Sequence, residues 1–244
     1  MYSYPSSIYG IVTLSLDRDL INPIYRMSTP NNLFPKFDTV LSLGCNCLPK
    51  LYLNKYVKSE ETQIFDYLGT PIYAIASLIE NKWSDLTNST NFTPKSFFNN
   101  NKAILAHNTY QVCFPHDIKK KEDLDSTALK AKMQRRIQRF EDAVKSSKNL
   151  LLIRFTLSDY NKDTFKTHAQ TPEGSLDALV PLMKSTYGCG SVTVVYINDV
   201  KDGWNNDHTV FYVKADSLDI PFSEAATAIH DLFTKKGVYT ALSA

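Results

Sequence analysis

Residues 38–47 read Asp38-Thr-Val-Leu-Ser-Leu-Gly-Cys-Asn-Cys47, and Leu48-Pro-Lys-Leu-Tyr-Leu-Asn-Lys-Tyr56 follows directly. The apolar run is typical of a buried strand, Gly44 ends it, and a helical pattern begins near Cys47. A thiol at the start of a helix is close to the positive end of the helix dipole, which stabilises a thiolate. The stretch therefore predicts a strand–turn–helix unit with Cys47 as the leading candidate for a reactive residue. The competing interpretation of a free cysteine is a small buried hydrophobe.

Strand and helix patterns alternate on the C-terminal side of this unit. Apolar runs predict strands at 149–155, 190–197 and 209–214, and helical spacing predicts helices at 72–79, 125–144, 174–183 and 222–236. Such alternation predicts an α/β fold, a mostly parallel central sheet flanked by helices. Ligands of such folds gather at the carboxyl ends of the strands, where Cys47 would lie.

The rest of the chain is less regular. Residues 1–36 are predicted to be an N-terminal extension with a strand at 8–16, and 37–244 to be a single α/β enzyme-like domain. Within the domain, 84–123 is rich in Asn, Ser, Thr and Pro and is predicted to be mainly turns and loops, with one short strand at 109–114.

Composition limits the classes of function. A net charge of +2 on 244 residues gives no support to nucleic-acid or membrane binding. The isolated Cys-x-Cys at Cys45 and Cys47 is not a zinc pattern, so neither a metal nor another cofactor is expected. Because no secretory signal or membrane-length apolar run is visible, we expect a cytoplasmic protein. The oligomeric state and the identity of the protein or small-molecule substrate are left open.

Five segments together resemble a known family. They are Ser42-Leu-Gly-Cys-Asn-Cys47, Ile64-Phe-Asp-Tyr67, His116-Asp117, Arg135-Arg-Ile-Gln-Arg-Phe140 and Leu151-Leu-Ile-Arg154. In this order they resemble the family of putative papain-like cysteine peptidases, although the Phe-Asp box here lacks the proline and tryptophan of the family pattern. The resemblance implies a papain-like α+β fold as an alternative, and a cysteine-dependent hydrolase or acyl transferase with Cys47 as nucleophile and His116 as base.

A thiol nucleophile needs a base and a group that orients the base. Asp66 or Asp117 could orient His116, and Asp66 is preferred because a carboxylate adjacent in sequence often points away from its own histidine. Cys45 is the second candidate for the nucleophile, and His208, at the start of a predicted strand, is the second candidate for the base.

Substrate contacts are expected from Gly44, Asn46 and Arg154. Backbone N–H groups around Asn46 and Cys47 could stabilise an oxyanion. Arg154 ends a buried strand, where it could pair with a carboxylate or bind an anionic group of the substrate. The remaining histidines are interpreted as surface or packing residues; they are His107, His168 and His230.

Two other functions fit the pattern. A strand that ends in Ser-Leu-Gly before a helix also resembles the first block of the SGNH hydrolases, and Ser42 or a thiol would then act in ester or acyl chemistry on a saccharide or lipid. The late Asp-x-x-His block of those enzymes is absent. The third possibility is a non-catalytic binding or effector module on an enzyme-like scaffold.

Overall fold

Four parallel strands form the centre of the structure, a computed structural model that describes residues 34–96, 103–155, 172–215, 221 and 223–238. The strands are β1 (Thr39–Ser42), β4 (Asn149–Phe155), β5 (Ser191–Asn198) and β7 (Val210–Lys214), and β6 (Gly203–Trp204) adds an antiparallel edge. The order in the sheet is β1-β4-β5-β7-β6. The α/β prediction with a mostly parallel sheet is confirmed.

Helices cover both faces of this sheet. They are α1 (Leu48–Tyr52), which continues as a π-helical turn over Leu53–Val57, α2 (Ile72–Glu80), α3 (Thr127–Ser146), α4 (Pro172–Tyr187) and α5 (Ala225–Lys235). Alternate residues of β4 face opposite sides: Leu152 packs with α2, α3 and α4, whereas Ile153 packs with α1 and α5. This two-sided burial explains why β4 reads as a continuous apolar run.

Two strands form a small second sheet in the segment predicted to be turns and loops. β2 (Phe92–Ser96) pairs antiparallel with β3 (Ala103–His107), so the loop prediction is wrong there. The polar composition hid the pairing, which the fully buried Phe92 anchors. The strand predicted at 109–114 is also wrong: Gln111 has a φ of 56°, which breaks extended backbone, and only isolated bridges form at Cys113.

The N-terminal region is described only from residue 34 onward. The described residues all fall within the unit that spans 32–244, and the predicted strand at 8–16 lies outside them. Phe34, which belongs to the predicted extension, is buried and packs edge-on against Phe211 at 5.0 Å between ring centroids. In the part of the chain that the structure describes, no helix is long and apolar enough to cross a membrane.

Candidate active site

The turn from β1 to α1 is tightly built. The Leu43 N–H donates to the Ile153 oxygen at 2.9 Å, and the chain then turns through positive φ angles at Gly44 (71°) and Cys45 (78°). A Cβ at Gly44 would lie 2.9 Å from the Phe65 carbonyl oxygen, so the turn packs directly on the segment that carries Asp66. Gly44 therefore allows the backbone of the turn to lie close to the backbone at Phe65, because glycine has no Cβ.

Ser42, the alternative nucleophile, is fully buried, and its hydroxyl accepts a hydrogen bond from the Gly44 N–H at 3.1 Å. Asn46 also acts locally, because its side-chain oxygen accepts from the Leu48 N–H at 2.9 Å. Among the described residues, no backbone carbonyl oxygen accepts a hydrogen bond from the N–H groups of Asn46 and Cys47. The Ser42 hydroxyl holds the turn.

Cys47 is the N-cap residue of α1 and is partly exposed, whereas Cys45 is 3% exposed. Burial raises the pKa of the Cys47 thiol above its usual value. The stabilisation of a thiolate by the helix dipole stays a prediction. The loss of water around the sulfur outweighs the hydrogen bond from the N–H group of Cys47 itself, which acts to lower the pKa. A base is needed to generate the thiolate at neutral pH.

Asp66 is fully buried, and its partners differ from those predicted. Its Oδ2 atom accepts a 2.7 Å hydrogen bond from the Gln63 N–H and lies 3.3 Å from the Nζ atom of Lys50, on α1. Burial raises the pKa of this carboxyl, and the Lys50 charge offsets part of that effect. In the structure Asp66 pairs with Lys50 and makes no hydrogen bond to His116. Lys50 was missed because buried lysines are rare and leave no periodic signal.

His116 is exposed and lies edge-on to the Tyr67 ring, with centroids 5.7 Å apart. The chain that leads to His116 is held in place at Cys113, which exchanges backbone hydrogen bonds of 2.9 and 3.0 Å with Gly69. Segment 63–70 therefore contacts the Gly44 turn on one side and the chain that leads to His116 on the other. Among the described residues, no hydrogen bond joins the Cys47 thiol to a histidine.

Asp117 does not orient its neighbouring histidine. Its carboxylate pairs with Lys132 at 2.6 Å and with Arg136 at 2.8 Å, both on α3. Burial acts to raise the pKa of Asp117, but the hydrogen bonds from these two cations outweigh it and lower the pKa. The residue ties the His116 loop to α3.

Arg154 is 2% exposed and bonds to backbone carbonyls. Its Nη1 and Nη2 atoms donate to the oxygens of Leu43 and Thr70, each at 2.7 Å. Among the described residues, Arg154 forms no ion pair with a carboxylate. Its hydrogen-bond acceptors belong to the two segments that border the site. The side chain holds these segments together and is not open to an anionic substrate group.

His208 lies at the amino ends of the parallel strands, whereas Cys47 follows a carboxyl end. His208 precedes β7, which runs parallel to β5, and the register aligns Val210 with Val194, Leu152 and Leu41. Cys47 follows the carboxyl end of β1, and two strands separate β1 from β7, a lateral distance of about 14 Å. His208 and Cys47 therefore lie at opposite ends of the strands and on strands separated by two others, so the structure does not bring them together.

The other histidines pack within the fold where they are described. His107 is buried, and its Nδ1 atom accepts from the N–H groups of Thr109 and Tyr110. His230 stacks on Tyr56 at 4.0 Å between centroids. His168 lies outside the described residues. No group of three His, Cys, Asp or Glu side chains is placed to hold a metal within the described ranges.

Comparison with known proteins identifies a family. A family model with the description "Putative papain-like cysteine peptidase (DUF1796)" matches residues 38–174, more than half of the chain. The match runs from the start of β1 into α4 and includes Cys47, Asp66, His116 and Arg154. No curated protein and no solved structure matches the chain.

Proposed function

The chain belongs to the family described as putative papain-like cysteine peptidases, and we propose that it is a cysteine-dependent hydrolase or acyl transferase. Cys47 is the nucleophile and His116 is the base. The observation that carries this proposal is the location of Cys47: it is the one partly exposed thiol of four, directly after the carboxyl end of a parallel strand. That edge is where α/β enzymes bind their ligands.

The raised pKa of Cys47 gives the base a defined task. His116 accepts the thiol proton as the sulfur attacks an acyl carbon, a C–S bond forms and the bond to the leaving group breaks. The protonated imidazole then returns the proton to the leaving group. Water or a second nucleophile breaks the C–S bond, which gives hydrolysis or acyl transfer. The N–H groups of Asn46 and Cys47 donate to no backbone carbonyl among the described residues, which supports an oxyanion-binding role at the start of α1.

A protein or small-molecule acyl compound is the proposed substrate class. Burial of the Ser42 hydroxyl gives no support to a serine esterase of the SGNH type. The four free cysteines favour a reducing compartment, for which we propose the cytoplasm.

A non-catalytic binding or effector module is the second candidate. It is favoured by two features of Cys47: the burial that raises the pKa of its thiol, and the lack of a thiol–histidine hydrogen bond among the described residues. The two functions differ in whether His116 accelerates chemistry at Cys47.

The deciding experiment is acylation by p-nitrophenyl acetate, followed by release of p-nitrophenolate and by the mass of the modified peptide. We expect acetylation of Cys47, no acetylation in Cys47→Ala, and a rate about 100-fold lower in His116→Ala, because a general base contributes about 10²–10⁴-fold. His208→Ala is the matched control and should react like the wild type. Equal rates in His116→Ala and wild type would contradict the enzyme proposal and favour the binding module.

A further inference from the structure

A buried ion pair lies one helical turn from the proposed nucleophile. Lys50 is on α1, three residues after Cys47, and is 1% exposed, while its partner Asp66 is 0% exposed. Residues three apart on a helix share a face, so Lys50 belongs to the same short stretch of α1 that begins at Cys47. The described residues contain no other ion pair in which both side chains are at most 2% exposed.

The ammonium group of Lys50 is fully used. It donates to the Ser59 oxygen at 3.0 Å and to the Glu61 oxygen at 2.5 Å, and it lies 3.3 Å from Asp66 Oδ2. The Ser59 hydroxyl oxygen is a fourth neighbour, at 3.5 Å, so all three protons of the ammonium have acceptors. The side chain therefore ties the first turn of α1 both to residues 59–61 and to the turn that carries Asp66.

Asp66, the other member of the ion pair, fixes the turn to which α1 is tied. Its Oδ2 atom also accepts from the Gln63 N–H at 2.7 Å, so the carboxylate fixes the 63–66 turn and receives α1 through Lys50. The second cation that acts on it is Arg136, from α3. The Oδ1 atom has no hydrogen-bond partner among the described residues. An apolar pair of similar volume would often give equal stability, so stability alone does not account for two buried charges here.

We propose that Lys50 and Asp66 are positioning residues for Cys47. Their ion pair holds the first turn of α1 against the 63–66 turn, and this fixes the depth at which the thiol is buried. The inference rests on the proposed function in taking Cys47 as the reactive group. It replaces the expected role of Asp66 as the partner of His116 with a role that acts through α1.

The test is the rate of carbamidomethylation of Cys47 by iodoacetamide at pH 7.5, measured by peptide mass spectrometry under native conditions. The variants are Lys50→Met, Asp66→Asn and the double variant. Loss of the pair should let α1 move outward and reduce the burial that raises the thiol pKa. We expect a rate about three- to tenfold higher in each single variant, since a one-unit fall in pKa gives about tenfold more thiolate. The double variant should react no faster than the faster single variant, because the two changes remove one interaction.

Two internal standards separate positioning from general destabilisation. Cys189 is buried and follows α4, far from α1 in the sequence, so its alkylation reports global unfolding. Asp38→Asn removes a carboxylate that accepts from Ser147, Lys148 and Asn149 at the amino end of β1, whereas Cys47 follows the carboxyl end. We expect Cys189 to stay unreactive in all variants and Asp38→Asn to leave the Cys47 rate unchanged.

Cys47 rates within about twofold of wild type in the Lys50 and Asp66 variants would overturn the inference. A parallel rise at Cys189 would overturn it as well, because the pair would then only stabilise the fold. If Lys50→Met does not fold, Asp66→Asn decides alone, since it keeps the side-chain shape. The acylation experiment with His116→Ala tests the proposed function separately: it can fail while the Lys50 and Asp66 variants still change the alkylation of Cys47.

Discussion

The guanidinium of Arg154 donates a 2.7 Å hydrogen bond to the carbonyl oxygen of Leu43, across 111 residues of sequence. The same group donates to the Thr70 oxygen at 2.7 Å. Leu43 precedes the Gly44 turn, and Thr70 precedes α2, so one side chain from β4 joins the two segments that border Cys47. The positions of these two segments thus depend on hydrogen bonds from a buried side chain of the central sheet.

Replacement of Arg154 by Met should lower the free energy of unfolding by about 2–6 kcal/mol, because two buried carbonyls lose their donors and each costs about 1–3 kcal/mol. Arg154→Lys keeps the charge but cannot reach both oxygens with a planar fork, and we expect an intermediate loss. Urea unfolding monitored by circular dichroism measures both variants. A loss below about 1 kcal/mol in Arg154→Met would show that the two carbonyls find other donors.

Gly44→Ala tests the close approach of the β1–α1 turn. The φ of Gly44 is 71°, and the new Cβ would lie 2.9 Å from the Phe65 oxygen. We expect a loss of about 2–5 kcal/mol, the sum of left-handed strain and a steric clash. Gly188→Ala is the matched control, because its φ is 67° and no atom lies within 4 Å of the added Cβ. It should cost only about 1–2 kcal/mol. Equal losses in the two variants would mean that the clash is relieved without cost.

The sequence predicts the central, mostly parallel sheet better than it predicts the small sheet of β2 and β3. The predicted central strands coincide with β1, β4, β5 and β7, because strands buried on both faces read as apolar runs. β2 and β3 carry Thr, Pro, Lys and His in positions that composition assigns to loops. Their pairing is set by register between the two strands, which local composition does not record.

At the site, the sequence predicts the location of Cys47 but not the contacts around it. The strand–turn–helix pattern is local, so it can be recognised within ten residues. The contacts of Arg154 with Leu43 and Thr70 join residues 111 and 84 positions apart and leave no periodic trace. For the same reason the sequence does not show that Asp66 pairs with Lys50: a carboxylate in a motif does not indicate which cation will pair with it. The placement of His208 required the direction and order of the strands, which only the structure supplies.

We expect the Asp117 carboxylate to make a pH-dependent contribution to the free energy of unfolding. Hydrogen bonds from Lys132 and Arg136 hold the pKa of its carboxyl below the usual value. A depressed pKa in the folded state means that this contribution is complete above the unfolded pKa of about 3.9 and is lost as pH falls through the folded pKa. We expect Asp117→Asn to lower the free energy of unfolding at pH 7 by about 1–3 kcal/mol, with the difference shrinking below about pH 4.

Urea titrations at a series of pH values from 7 to about 3 check this prediction. The control is Asp142→Asn, an exposed carboxylate on α3 that accepts a hydrogen bond from Gln138. Its effect should stay within about 0.5 kcal/mol at every pH. An Asp117→Asn difference that persists unchanged at the lowest pH would show that the amide, and not the lost charge, is responsible.

The four thiols should differ sharply in reactivity. Cys47 is partly exposed, whereas Cys45, Cys113 and Cys189 are 3%, 3% and 8% exposed. We therefore expect one fast and three slow reactions of the native protein with Ellman's reagent, and loss of the fast phase in Cys47→Ser but not in Cys189→Ser. Because burial raises the pKa of Cys47, the fast rate should keep rising above pH 8.5, where an ordinary thiol is already about half ionised. A fast rate that levels off near pH 6 would mean that a cation close to the sulfur stabilises the thiolate, and the raised pKa would then be wrong.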